Sequence, residues 1–168
     1  MHVADCAAQG ARAPVIPILF AGVFAVSAAE PLSPEATIDD VLDGYHRAAA
    51  TADEATYFGL MTPDAVFVGT DASEHWTLTE FKAFAQPHFA KDSAWTYTST
   101  WRRVTSLEEV AWFEEKLSNA KYGTVRGSGV LVRTDEGWRI AQYVMSFPIP
   151  NQVAGDVLKL VAGATPDP

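Results

Sequence analysis

The sequence predicts an α+β domain in which helices come first and a run of antiparallel strands follows. Three observations carry this. Two helix starts fall in the first half: Thr37-Ile-Asp-Asp40, an N-cap with an acid three residues on that opens an amphipathic segment, and Thr77-Leu-Thr-Glu80, a capping box. The second half alternates apolar and polar residues at the period of a strand. Two of its long segments, Tyr122–Thr134 and Trp138–Phe147, are joined by Asp135-Glu136-Gly137, where the glycine supplies the positive φ of a tight hairpin.

In chain order, Pro31-Leu-Ser-Pro34 is an extended linker, because each proline biases its predecessor away from helix. Ile38, Val41, Leu42, Tyr45, Ala48, Ala49 and Ala52 then recur at helical spacing. Asp53 caps a shorter helix through Tyr57, Phe58 and Leu60. Ala65–Gly69 is a short strand, Thr70–His75 a polar loop, and a third helix runs from the Thr77 cap to about Ala85, where Pro87 stops it. Strands follow at Trp95–Val104 and Glu109–Leu117, then the hairpin. Asn151–Val161 forms a terminal helix, and the last residues fray. The domain spans 37–151, after a linker over 30–36 and before a helix and tail over 152–168.

Composition limits the partners. A chain of 168 residues with net charge −9 has material for one domain and little to offer nucleic acid, which is bound by Lys and Arg. Nine Phe, five Trp and five Tyr supply a substantial core. Residues 1–29 differ: Ala13–Val26 is uncharged and apolar and runs into Ser27-Ala28-Ala29, the small residues of a secretory cleavage site. The expectation is a signal peptide and a secreted or periplasmic protein with no stable membrane insertion after cleavage. An uncleaved anchor is the alternative. Cys6 would leave with the leader, so the mature chain would contain no cysteine.

Candidate site residues fall in three places. The loop Phe67–Trp76 gathers Asp71, Glu74 and His75 beside Trp76; burial there would raise a carboxylate pKa and make an acid/base, whereas a turn would use Asp71 to bind backbone amides. His46 sits at the edge of the first helix's apolar stripe, able to enter a helix–sheet cavity or to remain a satisfied edge residue. Alternation places Arg126 with Tyr122, Thr124, Ser128, Val130 and Val132, and places Gln142 and Ser146 with Trp138, Ile140 and Val144; these faces are read as a pocket wall. A buried Arg126 would need an anion, either an internal carboxylate such as Glu114 or a ligand's. Trp112 shares a strand face with Val110, Glu114 and Lys116, opposite Ala111, Phe113, Glu115 and Leu117. Both faces are partly apolar, so a second chain or another layer should cover the strand. Asp71, Glu74 and His46 are thus the candidate catalytic residues. Tyr45, Trp76, Trp112, Arg126, Gln142 and Ser146 are the candidate ligand contacts. No set of His, Asp and Glu has metal-ligand spacing, and no cofactor is expected.

Taken together, His46-Arg-Ala-Ala-Ala50 with Ala52-Asp53, Phe67–Trp76, Ala111-Trp-Phe-Glu-Glu-Lys-Leu117, and Arg126-Gly-Ser-Gly-Val-Leu131 through Pro148-Ile-Pro-Asn151 resemble the SnoaL-like branch of the nuclear transport factor 2-like superfamily. The resemblance implies a cone-shaped fold, with three N-terminal helices packed on a strongly curved, mostly antiparallel sheet around a pocket. It also implies homodimers through the open sheet face. Activity is not inherited with the fold, which serves cyclases, isomerases, dehydratases and binding or association modules. Such relatives often carry His or Asn on the last strand where this chain has Val144, which removes one acid/base candidate. The expected function is small-molecule binding, the ligand mostly apolar or aromatic. Cofactor-free cyclase, isomerase or dehydratase chemistry and a dimeric association module are the alternatives.

Overall fold

A computed structural model describes residues 36–164 of the protein. The leader, Cys6 and most of the linker lie outside the described residues. Helix α1 (Ile38–Ala50) starts at Thr37, whose side chain accepts from the Asp40 amide while Asp40 returns a bond to the Thr37 amide. Its buried face presents Val41, Leu42, Tyr45, His46, Ala48 and Ala49. Helix α2 (Glu54–Gly59) is capped by Asp53 and buries Tyr57 and Phe58. Strand β1 (Met61–Val68) and the short β2 (His75–Thr77) form a hairpin around the polar loop. Helix α3 (Leu78–Phe89) begins with the second capping box.

Pro87 does not stop α3, which continues to Phe89. The proline falls in the last turn, where it forfeits one backbone bond without breaking the interior of the helix. The next strand also starts later than the sequence suggests. It is β3 (Thr98–Leu107), and Trp95 lies in the segment before it. Strands β4 (Val110–Asn119), β5 (Gly123–Thr134) and β6 (Gly137–Ser146) complete one curved sheet in the order β2-β1-β6-β5-β4-β3. Among the described residues only β1 and β6 pair in parallel. Gly137 sits at φ 100°, as the hairpin turn requires. A last helix, α4 (Ala154–Gly163), buries none of its residues.

The helices cover one face of the sheet. Along β4 that inner face is Ala111, Phe113, Glu115 and Leu117, all buried. Along β5 it is Val125, Gly127, Gly129 and Leu131. On β6 the register shifts: Leu131 pairs with Ile140 but Val130 pairs with Gln142, so Ala141 is an extra residue on that strand. Beyond this bulge the faces exchange. Trp138 and Ile140 point inward as alternation predicts, and then Tyr143, rather than Gln142, joins them.

This geometry corrects the expected pocket wall. Arg126, Gln142 and Ser146 lie on the outer face, away from the helices. Trp112 also lies there and is 48% exposed. Arg126 is exposed and stands opposite Lys116, so neither burial nor pairing with Glu114 applies. Arg126→Met is accordingly expected to shift stability by no more than about 0.5 kcal/mol, as for other surface changes. A urea melt showing a loss of several kcal/mol would contradict this placement.

Candidate functional site: an aromatic cavity behind a saturated carboxylate

Two features occupy the inner side of the sheet. The first is a buried polar cluster centred on Glu115, which is 1% exposed. Its Oε1 receives the Tyr143 hydroxyl at 2.7 Å and His46 Nε2 at 2.9 Å. Its Oε2 receives Arg102 Nε at 3.0 Å and faces Arg102 Nη2 at 2.9 Å. Arg102 reaches on to Asp39 and Asp43 of α1, each at 2.9 Å. Burial pushes the Glu115 carboxyl up, but the His46 and Tyr143 hydrogen bonds and the charges of His46 and Arg102 outweigh it. The net result is a pKa below the ordinary value. An ionised carboxylate can only accept, so His46 Nε2 must carry the proton between them. Burial, followed by the negative charge of Glu115, drives the Tyr143 phenol well above its usual pKa.

Local sequence makes room for this cluster. Gly127 and Gly129 lie under Tyr143 and Phe113, where a Cβ at Gly127 would overlap the Tyr143 hydroxyl. The spacing Arg126-Gly-Ser-Gly129 is thus a close-approach device on the inner face. Next to the cluster, Tyr45 stacks on Tyr57 with ring centroids 4.1 Å apart and accepts the Tyr57 hydroxyl proton in a hydrogen bond. Burial raises both phenol pKa values. Tyr45, expected to touch ligand, is a buried core residue. His46, expected as a base, is bound to Glu115. With its carboxylate facing four donor atoms, this cluster ties α1 to β3, β4 and β6.

The second feature is a cavity of about 350 Å³ at the end of the sheet where β1 and β6 finish and the β4–β5 turn begins. Phe67, Trp76, Phe81, Phe84 and Trp95 form its aromatic wall, with Met145 and Phe147 contributed by β6 and the residue after it. The rings are close to parallel. Phe67 and Phe81 lie 3.9 Å apart at 14°, Trp76 and Phe84 4.5 Å apart at 23°, and Trp76 and Phe81 5.9 Å apart at 8°. Polar side chains gather around this wall, with Thr70 and Glu74 on one side, His88 on α3, and Thr96, Tyr97, Asn119, Lys121 and Tyr122 on the other. The near-parallel rings leave an aromatic face open to the cavity.

Of the loop residues read from the sequence, Glu74 and Trp76 line this cavity and Asp71 does not. Asp71 is exposed, and its Oδ1 accepts from the Ser73 amide at 2.9 Å and the Ser73 hydroxyl at 2.6 Å. Those bonds lower its pKa and hold the turn, the structural role the sequence also allowed it. Glu74 Oε2 accepts from the Asp71 amide at 3.1 Å. Sequence reasoning missed Glu115, Arg102 and Tyr143 and most of the cavity wall. An acid among Ala111, Phe113 and Leu117 was the available signal for Glu115. Among the described residues no group of His, Cys, Asp and Glu is arranged to hold a metal.

An open curved sheet with helices on one face and a cavity at its end defines a cone-fold α+β domain of the nuclear transport factor 2-like kind. The sequence profile of the SnoaL-like domain matches residues 38–150, and the chain belongs to that family. Solved structures agree on the fold. A candidate aromatic ring hydroxylase from Novosphingobium aromaticivorans superposes with a TM-score of 0.59 at 24% identity, covering 67% of this chain and 87% of that one. A candidate ketosteroid isomerase from Parabacteroides distasonis gives 0.56 at 15%, covering 69% and 91%. An NTF2-like protein of unknown function from Pseudomonas putida gives 0.57 at 10%, covering 69% and 87%. These identities show the fold alone. Among curated proteins no sequence matches.

Proposed function

We propose that this domain binds a small, flat, mostly apolar or aromatic molecule in the cavity beneath α3. The observation behind this reading is the wall of near-parallel rings around a space of about 350 Å³, combined with a buried acid whose oxygens are already satisfied. Trp76 and Trp95 in the wall give an intrinsic signal. Titration of the purified protein with two-ring aromatics should quench its fluorescence. Trp76→Ala should weaken binding by ~10-fold, the scale of one lost stacking contact. Quenching by no aromatic probe would remove the proposal.

A second reading, cofactor-free isomerase, cyclase or dehydratase chemistry, draws on Glu74 and His88 in the same wall. It also draws on the neighbour described as a candidate ketosteroid isomerase. Glu74 would serve as base and His88 as its polar companion. Turnover abolished in Glu74→Gln with binding retained would establish it.

Assembly and location complete the proposal. The outer sheet face exposes Trp101, Val110 and Trp112 among charged residues, which supports a homodimer formed through that face. Light scattering at micromolar concentration should give twice the chain mass, and a monomer would refute it. Association through this face without a ligand is the remaining alternative. Export rests on the apolar run and small residues before position 30. N-terminal sequencing from the host should begin at Ala29 or Glu30, and an intact Met1 would refute cleavage. No helix among the described residues is long and apolar enough to cross a membrane.

A further inference from the structure

The cavity mouth is electrically two-ended. Glu74 stands beside β1, where its carbonyl accepts from the Gly69 amide at 2.8 Å, and it leads directly into β2. Lys121 stands on the β4–β5 turn, which Asn119 shapes by accepting the Lys121 and Tyr122 amides, each at 2.9 Å. Strands β1, β6 and β5 run between these rims, three strand spacings or roughly 14 Å in a flat sheet and less in a curved one. The two charges therefore do not pair. The Lys121 ammonium instead donates to the Tyr122 hydroxyl at 2.9 Å and lies 4.7 Å from that ring's centroid, with no acid among the described residues beside it. Between the rims lies the ring-lined floor. His88 enters it from α3 with its imidazole against Phe84 and Trp95 and no hydrogen-bond partner among the described residues.

A neutral hydrocarbon would use the floor and ignore both rims. A molecule with an anionic end and a hydrogen-bond donor at its other end would use all three. We propose that the cavity selects two-ring aromatic carboxylates bearing a distal hydroxyl, with the carboxylate at Lys121 and the hydroxyl donating to Glu74. Lys121 is the stronger determinant, because an ammonium–carboxylate contact is charge-assisted at both ends. In a chain of net charge −9, this lysine lets the cavity accept an anion that the rest of the surface repels. The inference rests on the aromatic-ligand reading above.

Calorimetric titration of the purified protein with 6-hydroxy-2-naphthoate, 2-naphthoate and 2-naphthol tests it, using wild type, Lys121→Met and Glu74→Gln. Lys121 is exposed, and a glutamine at 74 keeps an oxygen for the Asp71 amide, so both variants should fold. The hydroxynaphthoate should bind tightest. Lys121→Met should cost both acids ~10-fold and leave 2-naphthol within about twofold. Glu74→Gln should weaken 2-naphthol and leave 2-naphthoate unchanged or tighter. If 2-naphthol binds as tightly as the acids, or Lys121→Met spares them, the two-ended assignment is overturned while aromatic binding stands. If none of the three binds, both readings fall.

Discussion

Glu115→Ala should destabilise the domain by ~3–5 kcal/mol, because removing one member of a buried ionic cluster strands the others. The variant leaves the Tyr143 hydroxyl and His46 Nε2 without their acceptor, and Arg102 without the one buried counter-charge it has among the described residues. Chemical denaturation monitored by tryptophan fluorescence would measure it, and a loss below about 1 kcal/mol would show that the cluster is dispensable. The same carboxylate gives a pH signature. Its pKa is lower in the folded protein than in the unfolded chain, so the unfolded state binds the proton more readily as acid is added. The stabilisation is complete above the ordinary carboxylate range and is lost as pH falls through the depressed folded value. Wild type should therefore lose more stability than Glu115→Gln on acidification below about pH 4. Parallel acid profiles would argue against that assignment.

The second large effect is expected at Gly129. A methyl group there would collide with the Gln142 carbonyl oxygen and crowd the Phe113 ring. The obstructing atom is backbone held in the β5–β6 ladder beside the bulge, so it cannot swing aside as a flexible side chain could. Gly129→Ala should cost ~3 kcal/mol, at the upper end for overpacking. Gly59→Ala, with open space at its Cβ, should stay within about 1 kcal/mol and serves as the control. Equal melting midpoints for the two variants would mean that the strands can part at Gly129 without penalty.

Much of the fold was legible because its signals are local. The capping boxes at Thr37 and Thr77 and the turn before Gly137 act within four residues, and each is found where the sequence places it. The faces of β4 were legible for the same reason, since its alternation is unbroken from Ala111 to Leu117. The site was less so. One additional residue at Ala141 reverses the alternation of β6, exchanging Tyr143 for Gln142 and Met145 for Ser146 on the inner face, and nothing nearby in sequence announces it. Arg126 was misread through the opposite error. Gly127 and Gly129 have no side chains to mark the inner face of β5, so the residues between them look like the populated one. The cavity wall joins β1, α3, the segment before β3 and the end of β6, a juxtaposition that exists only once the sheet has curved.

The place of β6 in the sheet also sets when this domain can fold. The last strand in sequence lies in the interior of the sheet, parallel to the first, so Phe67 waits for Tyr143 before either can be buried. A chain emerging from the ribosome cannot close its core until nearly all of the domain has been made, because the long-range pairing comes last. Partial products would expose Phe67, Phe81 and Trp76 with no sheet to cover them. Under the export proposed above, this delay would leave the domain threadable until its final strand arrives.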